Sequence, residues 1–286
     1  MHVTATRSEL ERLLAEDVPY GDLTTEVLGI CAQAGSMRFA ARYPMVLAEA
    51  ESAAGLLSMA GCTVALEARS GDALEPGGPI LMVHGSAAAL HRGWKVAQTL
   101  IETWSGVATA ARSIVEAARA RAPQIGVACT RKTTPGTKSF AVRAVRAGGA
   151  TIHRLGLSES VLVFPEHRLF LSGVALAEIV QKLRACAPEK KLVIEVTSLE
   201  EARAAAAAGF DAIQTEKFAP ADVARLSAEI RNGGSVRSEP PLILAAGGIT
   251  ADNAADYAQA GADVLVTSAP YLARPRDVQV TFAITP

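Results

Sequence analysis

Six short apolar runs in the second half of the chain each end at residues able to do chemistry. IGVACT (125–130) is followed by Arg131 and Lys132, and ATI (150–152) by His153 and Arg154. KLVIEV (191–196) carries Glu195 within it, and DAIQTE (211–216) ends on Glu216. PLILAA (241–246) runs into Gly247 and Gly248, and DVLV (263–266) into Thr267 and Ser268. Such a set suits a ligand with several anionic groups and some hydroxyls. An arginine offers parallel N–H donors to a carboxylate or phosphate, and a lysine offers a compact charge. The backbone N–H groups of a Gly-Gly turn opening a helix can hold a phosphate with no side chain in the way. Two glutamates can accept from sugar hydroxyls or hold a Mg²⁺ that bridges phosphates. Taken singly, a Gly-Gly is often just a tight turn and a basic pair a solvated loop. Glu195 is harder to dismiss, because a carboxylate inside an apolar run is costly without a partner. Their common position at strand ends carries the reading.

That position has a structural meaning. In a (β/α) barrel the reactive side chains stand at the carboxyl ends of the strands. The runs alternate with amphipathic segments, SGVALAEIVQKLRA (172–185), SLEEARAAAAAG (198–209), PADVARLSAEIR (220–231) and TADNAADYAQAG (250–261). Wholly apolar strands between such helices predict a parallel sheet covered on both faces. No GxGxxG follows any strand, which disfavours a doubly wound dinucleotide fold.

The first half reads differently. RSELERLLAE (7–16) predicts a short helix with Ser8 as its N-cap. Residues 36–86 predict short strands separated by Gly- and Pro-rich turns, with one helix near 49–61. Leu90, Trp94, Ala97, Ile101, Trp104, Ala108, Ala111, Val115 and Ala118 then recur every three or four residues. They predict one long helix, kinked or split at Gly106, with both tryptophans as core. The expected fold class is α/β. An N-terminal α/β domain (a β-rich sandwich) spans 1–110 and is joined by a tail strand at 277–284; an open (β/α) barrel of parallel strands spans 111–276.

Lys and Arg total 28 against 29 Asp and Glu, a net charge of −1. This disfavours a nucleic-acid or membrane-surface binder working by bulk charge. No window has the length of a membrane span, and the start lacks an apolar leader segment. The four cysteines are scattered without metal-ligand spacing, as expected for a cytoplasmic protein.

At TRKTTPG (130–136), GGATIHRLGLSES (148–160) and LAAGGIT (244–250) the chain resembles the quinolinate phosphoribosyltransferases, also called nicotinate-nucleotide pyrophosphorylases. GDLTT (21–25) and WSGVAT (104–109) match the same family in the same order, so the likeness spans nearly the whole chain. DVPYGDLTTEVLGI, GWKVAQTL and VLVFPEHRLF resemble a branch of the family encoded with molybdate transport systems. The resemblance implies a homodimer, and joining of a heterocyclic carboxylate to phosphoribosyl pyrophosphate with Mg²⁺ assistance and release of pyrophosphate. It implies that Arg131, Lys132, His153 and Arg154 hold the acceptor's carboxylate and the pyrophosphate. Glu195 and Glu216 would hold ribose hydroxyls and metal, and Gly247, Gly248 and Ser268 the 5′-phosphate. Lys132, Glu195 and Glu216 are the expected catalytic groups, and Lys95 would reach the partner subunit's acceptor site.

The departures fall mainly on the acceptor side. Lys95 stands where the family has Arg, Phe164 where it has Lys, and Glu166 where it has Asn. Glu159 replaces an Asp, Glu216–Lys217 an Asp-Asn pair, and Ala246 a Ser. One cation fewer and one carboxylate more beside the acceptor predict weaker recognition of a dicarboxylate such as quinolinate. The alternatives are quinolinate phosphoribosyltransferase proper and a non-catalytic oxyanion-binding accessory protein. A barrel lyase with Lys132 as Schiff-base nucleophile is opposed by the nearby carboxylates.

Overall fold

The computed structural model describes residues 4–232 and 239–284. By contacts the chain divides into two compact units. The first comprises residues 1–112, 133–149 and 270–286, and the second 113–132 and 150–269.

In the first unit, α1 (Arg7–Asp17) is capped by Thr6 rather than Ser8. The Thr6 side chain accepts from the Glu9 N–H, and the Glu9 carboxylate accepts from the Thr6 N–H at 2.7 Å. This reciprocal box satisfies two donors at once, which Ser8 could not do from inside the first turn. The short helix α2 (Leu23–Val27) is capped by Asp22. Strands β1 (Ala34–Ala41), β2 (Met45–Val46), β3 (Thr63–Leu66), β4 (Ala73–Leu74) and β5 (Pro79–Ser86) surround helix α3 (Ala50–Met59). The C-terminal strand, β13 (Val278–Ile284), pairs antiparallel with β1, giving a sheet ordered β13-β1-β5-β3, while β2 and β4 form a separate ribbon. Met37, Phe39, Leu56, Leu57, Ile80 and Leu81 are fully buried.

Helix α4 (Ala87–Arg119) continues without a break through Gly106. The glycine serves a close approach instead: a Cβ there would lie 2.3 Å from the Arg274 carbonyl oxygen. Trp104 is buried and stacks on Phe140 of α5 (Lys138–Ala147), with ring centroids 5.9 Å apart, while Trp94 meets Phe282 edge-on.

The second unit is an open barrel of parallel strands. Its strands are β6 (Gly126–Cys129), β7 (Thr151–Ile152), β8 (Val161–Val163), β9 (Leu192–Val196), β10 (Ala212–Glu216), β11 (Leu242–Ala246) and β12 (Val264–Thr267). They lie in the order β7-β6-β12-β11-β10-β9-β8, with every observed pairing parallel. Helices α7 (Leu176–Cys186), α8 (Leu199–Ala208), α9 (Pro220–Asn232) and α10 (Ala254–Gln259) alternate with the strands. A five-residue helix, α6 (Pro165–Leu169), follows β8, with Pro165 supplying a preset first turn. Helix α10 begins at Ala254, not Thr250, because the Asn253 side chain accepts from the Thr250 N–H and donates to the Gly248 carbonyl, holding a turn there.

Candidate active site

The sheet's pleat sorts its residues into two faces. Registered partners in parallel strands point the same way, so Val193 and Glu195 share a face with Ala212, Gln214 and Glu216, and with Leu244 and Ala246. On this face Leu162, Val193, Ala212, Leu244, Ala246 and Val266 form one apolar cluster, with Phe164 packed against it. Toward the carboxyl ends of β9 and β10 the face turns polar, at Glu195, Gln214 and Glu216, with Leu244 and Ala246 of β11 level with Gln214 and Glu216.

Gln214 Nε2 donates to Glu195 Oε2 at 2.6 Å. Burial pushes the Glu195 carboxyl up from its ordinary value; this hydrogen bond opposes the push, Glu216 and Glu166 add to it, and Lys132 opposes it. Four charged side chains from four segments thus act on one another in one place. On the other side of the mouth, burial lowers the Arg154 pKa and the neighbouring Arg131 lowers it further. His153 is lowered by burial first and Arg154 second, which keeps its imidazole neutral near pH 7. The Arg154 guanidinium lies 5.6 Å from the Phe164 ring centroid, and Phe164 stacks on His167. Arg131 and Lys132 are exposed, with the Lys132 N–H bonded to Thr130 Oγ1.

Gly247 and Gly248 both have positive φ, 88° and 80°. The Lys217 N–H donates to the Ala246 carbonyl at 2.7 Å, which brings Lys217 and Glu216 against Gly247. Only a residue without Cβ fits. Half-buried Ser268 follows β12, where Thr267 Oγ1 donates to the Ile249 carbonyl and fixes the neighbouring loop. The expected helix at Thr250 does not back this turn, so exposed backbone N–H groups and Ser268 are what it can offer an anion.

Arg131, Lys132, His153, Arg154, Glu195, Glu216, Gly247, Gly248 and Ser268 therefore all lie at the carboxyl ends of one parallel sheet. Lys95 does not: it stands on α4 in the first unit, 4.1 Å from the Trp94 ring centroid, with its amine donating to Gln98. Gln214 was missed in the sequence, although its place two residues before Glu216 puts it on the same face.

Residues 22–105 match the family description "Quinolinate phosphoribosyl transferase, N-terminal domain", and residues 107–281 match "Quinolinate phosphoribosyl transferase, C-terminal domain". The chain belongs to the quinolinate phosphoribosyltransferase family. It is 48% identical over 252 residues to a protein named as pyrophosphorylase ModD from Rhodobacter capsulatus, covering 88% of this chain and 95% of that one. It is 31% identical over 270 residues to the nicotinate-nucleotide pyrophosphorylase (carboxylating) of Mycobacterium leprae, covering 93% and 92%. The crystal structure of NadC from Streptococcus pyogenes superposes with a TM-score of 0.87 at 25% identity, over 98% of this chain and 96% of that one. The chain is thus a pyrophosphorylase-type phosphoribosyltransferase of the ModD branch. No helix among the described residues is long and apolar enough to cross a membrane.

Among the described residues no group of three or more His, Cys, Asp or Glu side chains forms a metal cage. Glu195 and Glu216 nonetheless fit a divalent cation shared with substrate oxygens, since their mutual repulsion is what such a cation relieves.

Proposed function

We propose that the chain transfers the phosphoribosyl group of phosphoribosyl pyrophosphate to the ring nitrogen of an aromatic heterocyclic carboxylic acid other than quinolinate. The C1–O bond to pyrophosphate breaks with both electrons leaving on oxygen, and the ring nitrogen's lone pair forms the new bond to C1. The observation carrying this reading is the coupling of Lys132, Glu166, Glu195 and Glu216 at one mouth, beside Arg131 and Arg154. Gly247, Gly248 and Ser268 hold the 5′-phosphate. Glu195 and Glu216 accept from the ribose hydroxyls and face the positive charge developing at C1. Lys132 and Arg131 take the pyrophosphate, while Arg154 and neutral His153 orient the acceptor's carboxylate. Mg²⁺, when bound by Glu195, Glu216 and substrate oxygens, would neutralise the leaving group's charge. Catalysis is then largely positional and electrostatic.

Phe164 and Glu166 support an acceptor other than a dicarboxylate, since Phe164 puts a ring beside Arg154 and Glu166 a negative charge near Glu195. The exposed apolar side chains Tyr20, Leu23 and Val27 in one unit, and Leu157, Leu169 and Phe170 in the other, support burial against a second copy. In that homodimer Lys95 serves the partner subunit's acceptor site. All four cysteines are free thiols, in keeping with the reducing cytoplasm. The reaction's place in molybdate metabolism belongs to the same proposal.

A thermal-shift screen of heterocyclic carboxylates, each with and without phosphoribosyl pyrophosphate and Mg²⁺, tests the reading. Binding at a hundredfold excess over Kd stabilises the fold by about 2.7 kcal/mol. Pyrophosphate release with a heterocyclic acid, and slower release with quinolinate, is the expected result. Faster turnover of quinolinate than of every other acid overturns the acceptor assignment. Anion binding with no consumption of phosphoribosyl pyrophosphate marks an accessory protein instead.

A further inference from the structure

The first unit holds a second charged cavity, of about 330 Å³, lined among others by Glu49, Glu51, Ser70, Arg112, Arg143 and Arg146. All its lining residues belong to that unit, and none of them is among the residues at the carboxyl ends of the barrel strands.

Its centre is the pair Glu49–Arg143. Arg143 Nε donates to Glu49 Oε1 at 2.7 Å, with the Glu49 side chain 1% exposed and that of Arg143 14%. Each has a polar atom left over: Glu49 Oε2 and Arg143 Nη2 are buried without a hydrogen-bond partner among the described residues. Buried polar atoms are rarely left so, because each forfeits its hydration for nothing. Glu49 is also one of two non-glycine residues with positive φ among those described, at 61°. It precedes α3 yet makes no capping bond with its side chain. A left-handed backbone that does not serve its own helix is strain of the kind functional sites retain.

The surrounding groups are otherwise committed. Glu51 accepts from the Ser70 N–H, and Arg112 Nε donates to the Gly148 carbonyl at 3.1 Å. Arg146 is exposed at the rim. Three guanidiniums against two carboxylates leave the cavity one positive charge in excess, which calls for an anion. Burial pushes the Glu49 carboxyl up from its ordinary value, and the pairing with Arg143 and the neighbouring Ser52 hydroxyl oppose that push; in its ionised form the carboxylate can only accept. Its leftover oxygen therefore repels a fully deprotonated oxyanion and welcomes one that brings its own O–H.

We propose that this cavity binds a small anion bearing a hydroxyl hydrogen. The anionic oxygen accepts from Arg143 Nη2 and the hydroxyl donates to Glu49 Oε2. Hydrogen phosphate and small hydroxylated acids share this chemistry, and sulfate-like ions lack it. The cavity's volume exceeds a bare tetrahedral ion, so the occupant is the end group of a small metabolite.

Arsenate and selenate are tetrahedral anions of similar size, and only arsenate keeps an O–H above neutral pH. Crystals of the full chain soaked in each, with anomalous scattering at the arsenic and selenium edges, locate them directly and apart from any ion at Gly247–Gly248. Arsenate should occupy the cavity, with selenate about tenfold weaker or absent. In Glu49→Gln the amide N–H replaces the accepting oxygen, and selenate should gain occupancy. Equal occupancy by both ions, selenate alone, or neither ion in the unsubstituted protein overturns the proposal. That comparison stands even if the variant does not fold.

Discussion

Glu195 and Gln214 are register partners on adjacent parallel strands, and Gln214 Nε2 donates to Glu195 Oε2 across a distance of 2.6 Å. This bond is a main influence holding down a carboxyl that burial and two neighbouring carboxylates push up. Gln214→Met removes the donor and keeps the volume. The Glu195 pKa then rises further, so the acid limb of the pH profile for phosphoribosyl pyrophosphate binding moves to higher pH. Affinity at neutral pH should drop by about tenfold, the usual cost of one hydrogen bond to a charged group. Calorimetric titrations across pH in both proteins measure the displacement, and an unmoved limb contradicts it.

Because its pKa is raised in the fold, ionised Glu195 weakens the native state. The cost appears as pH rises through the ordinary glutamate value, about 4.3, and is complete above the raised one. Glu195→Gln should therefore raise Tm at pH 7. The gain should vanish in acid, and sugar-phosphate binding should be lost. Scanning calorimetry at two pH values decides the matter.

Arg154 is 6% exposed and lies against the Phe164 ring. Arg154→Lys keeps the charge but loses the planar fork. Acceptor affinity should fall by about ten- to a hundredfold while phosphoribosyl pyrophosphate binding changes little. Separate KM values for the two substrates give the comparison, and equal losses for both would place Arg154 elsewhere in the site.

A Cβ on Gly247 would lie 2.6 Å from Lys217 Cγ and 2.9 Å from Glu216 Oε1, on a backbone at φ 88°. Gly247→Ala should lower Tm and displace Glu216, cutting sugar-phosphate affinity. Gly209, at φ 92° as the C-cap of α8, has nothing within 4 Å. Gly209→Ala should cost only the backbone term, about 1 kcal/mol, and leave binding intact. Loss of binding in both variants would point to general unfolding.

Much of the barrel was legible because its physics is local. A run such as LILAA is apolar on both faces, and Gly209 punctuates the helix between LVIEV and AIQTE. The period-2 rule places Glu195 and Glu216 on one face once the strands are known to be parallel. What the sequence hid depends on tertiary context. Gly106 reads as a helix breaker, yet its reason is the carbonyl of Arg274, more than 150 residues away. Glu49 reads as an ordinary residue before a helix, and neither its left-handed backbone nor its pairing with Arg143 leaves a local signature. Thr6 and Ser8 are equally plausible caps by type; the position of Glu9 three residues after Thr6 selects between them.

The barrel's opening has a mechanical consequence. The edge strands β7 and β8 are two and three residues long and do not pair with each other, so the ring is unclosed at that point. Arg154 follows one edge and Phe164 the other, and their side chains meet with the guanidinium 5.6 Å from the ring centroid. On the proposed reading, an acceptor seated against these two residues would act as a clasp over the missing staves. Occupancy should then be felt as slower amide exchange along both short strands, with the width of the gap set by the size of the molecule it holds.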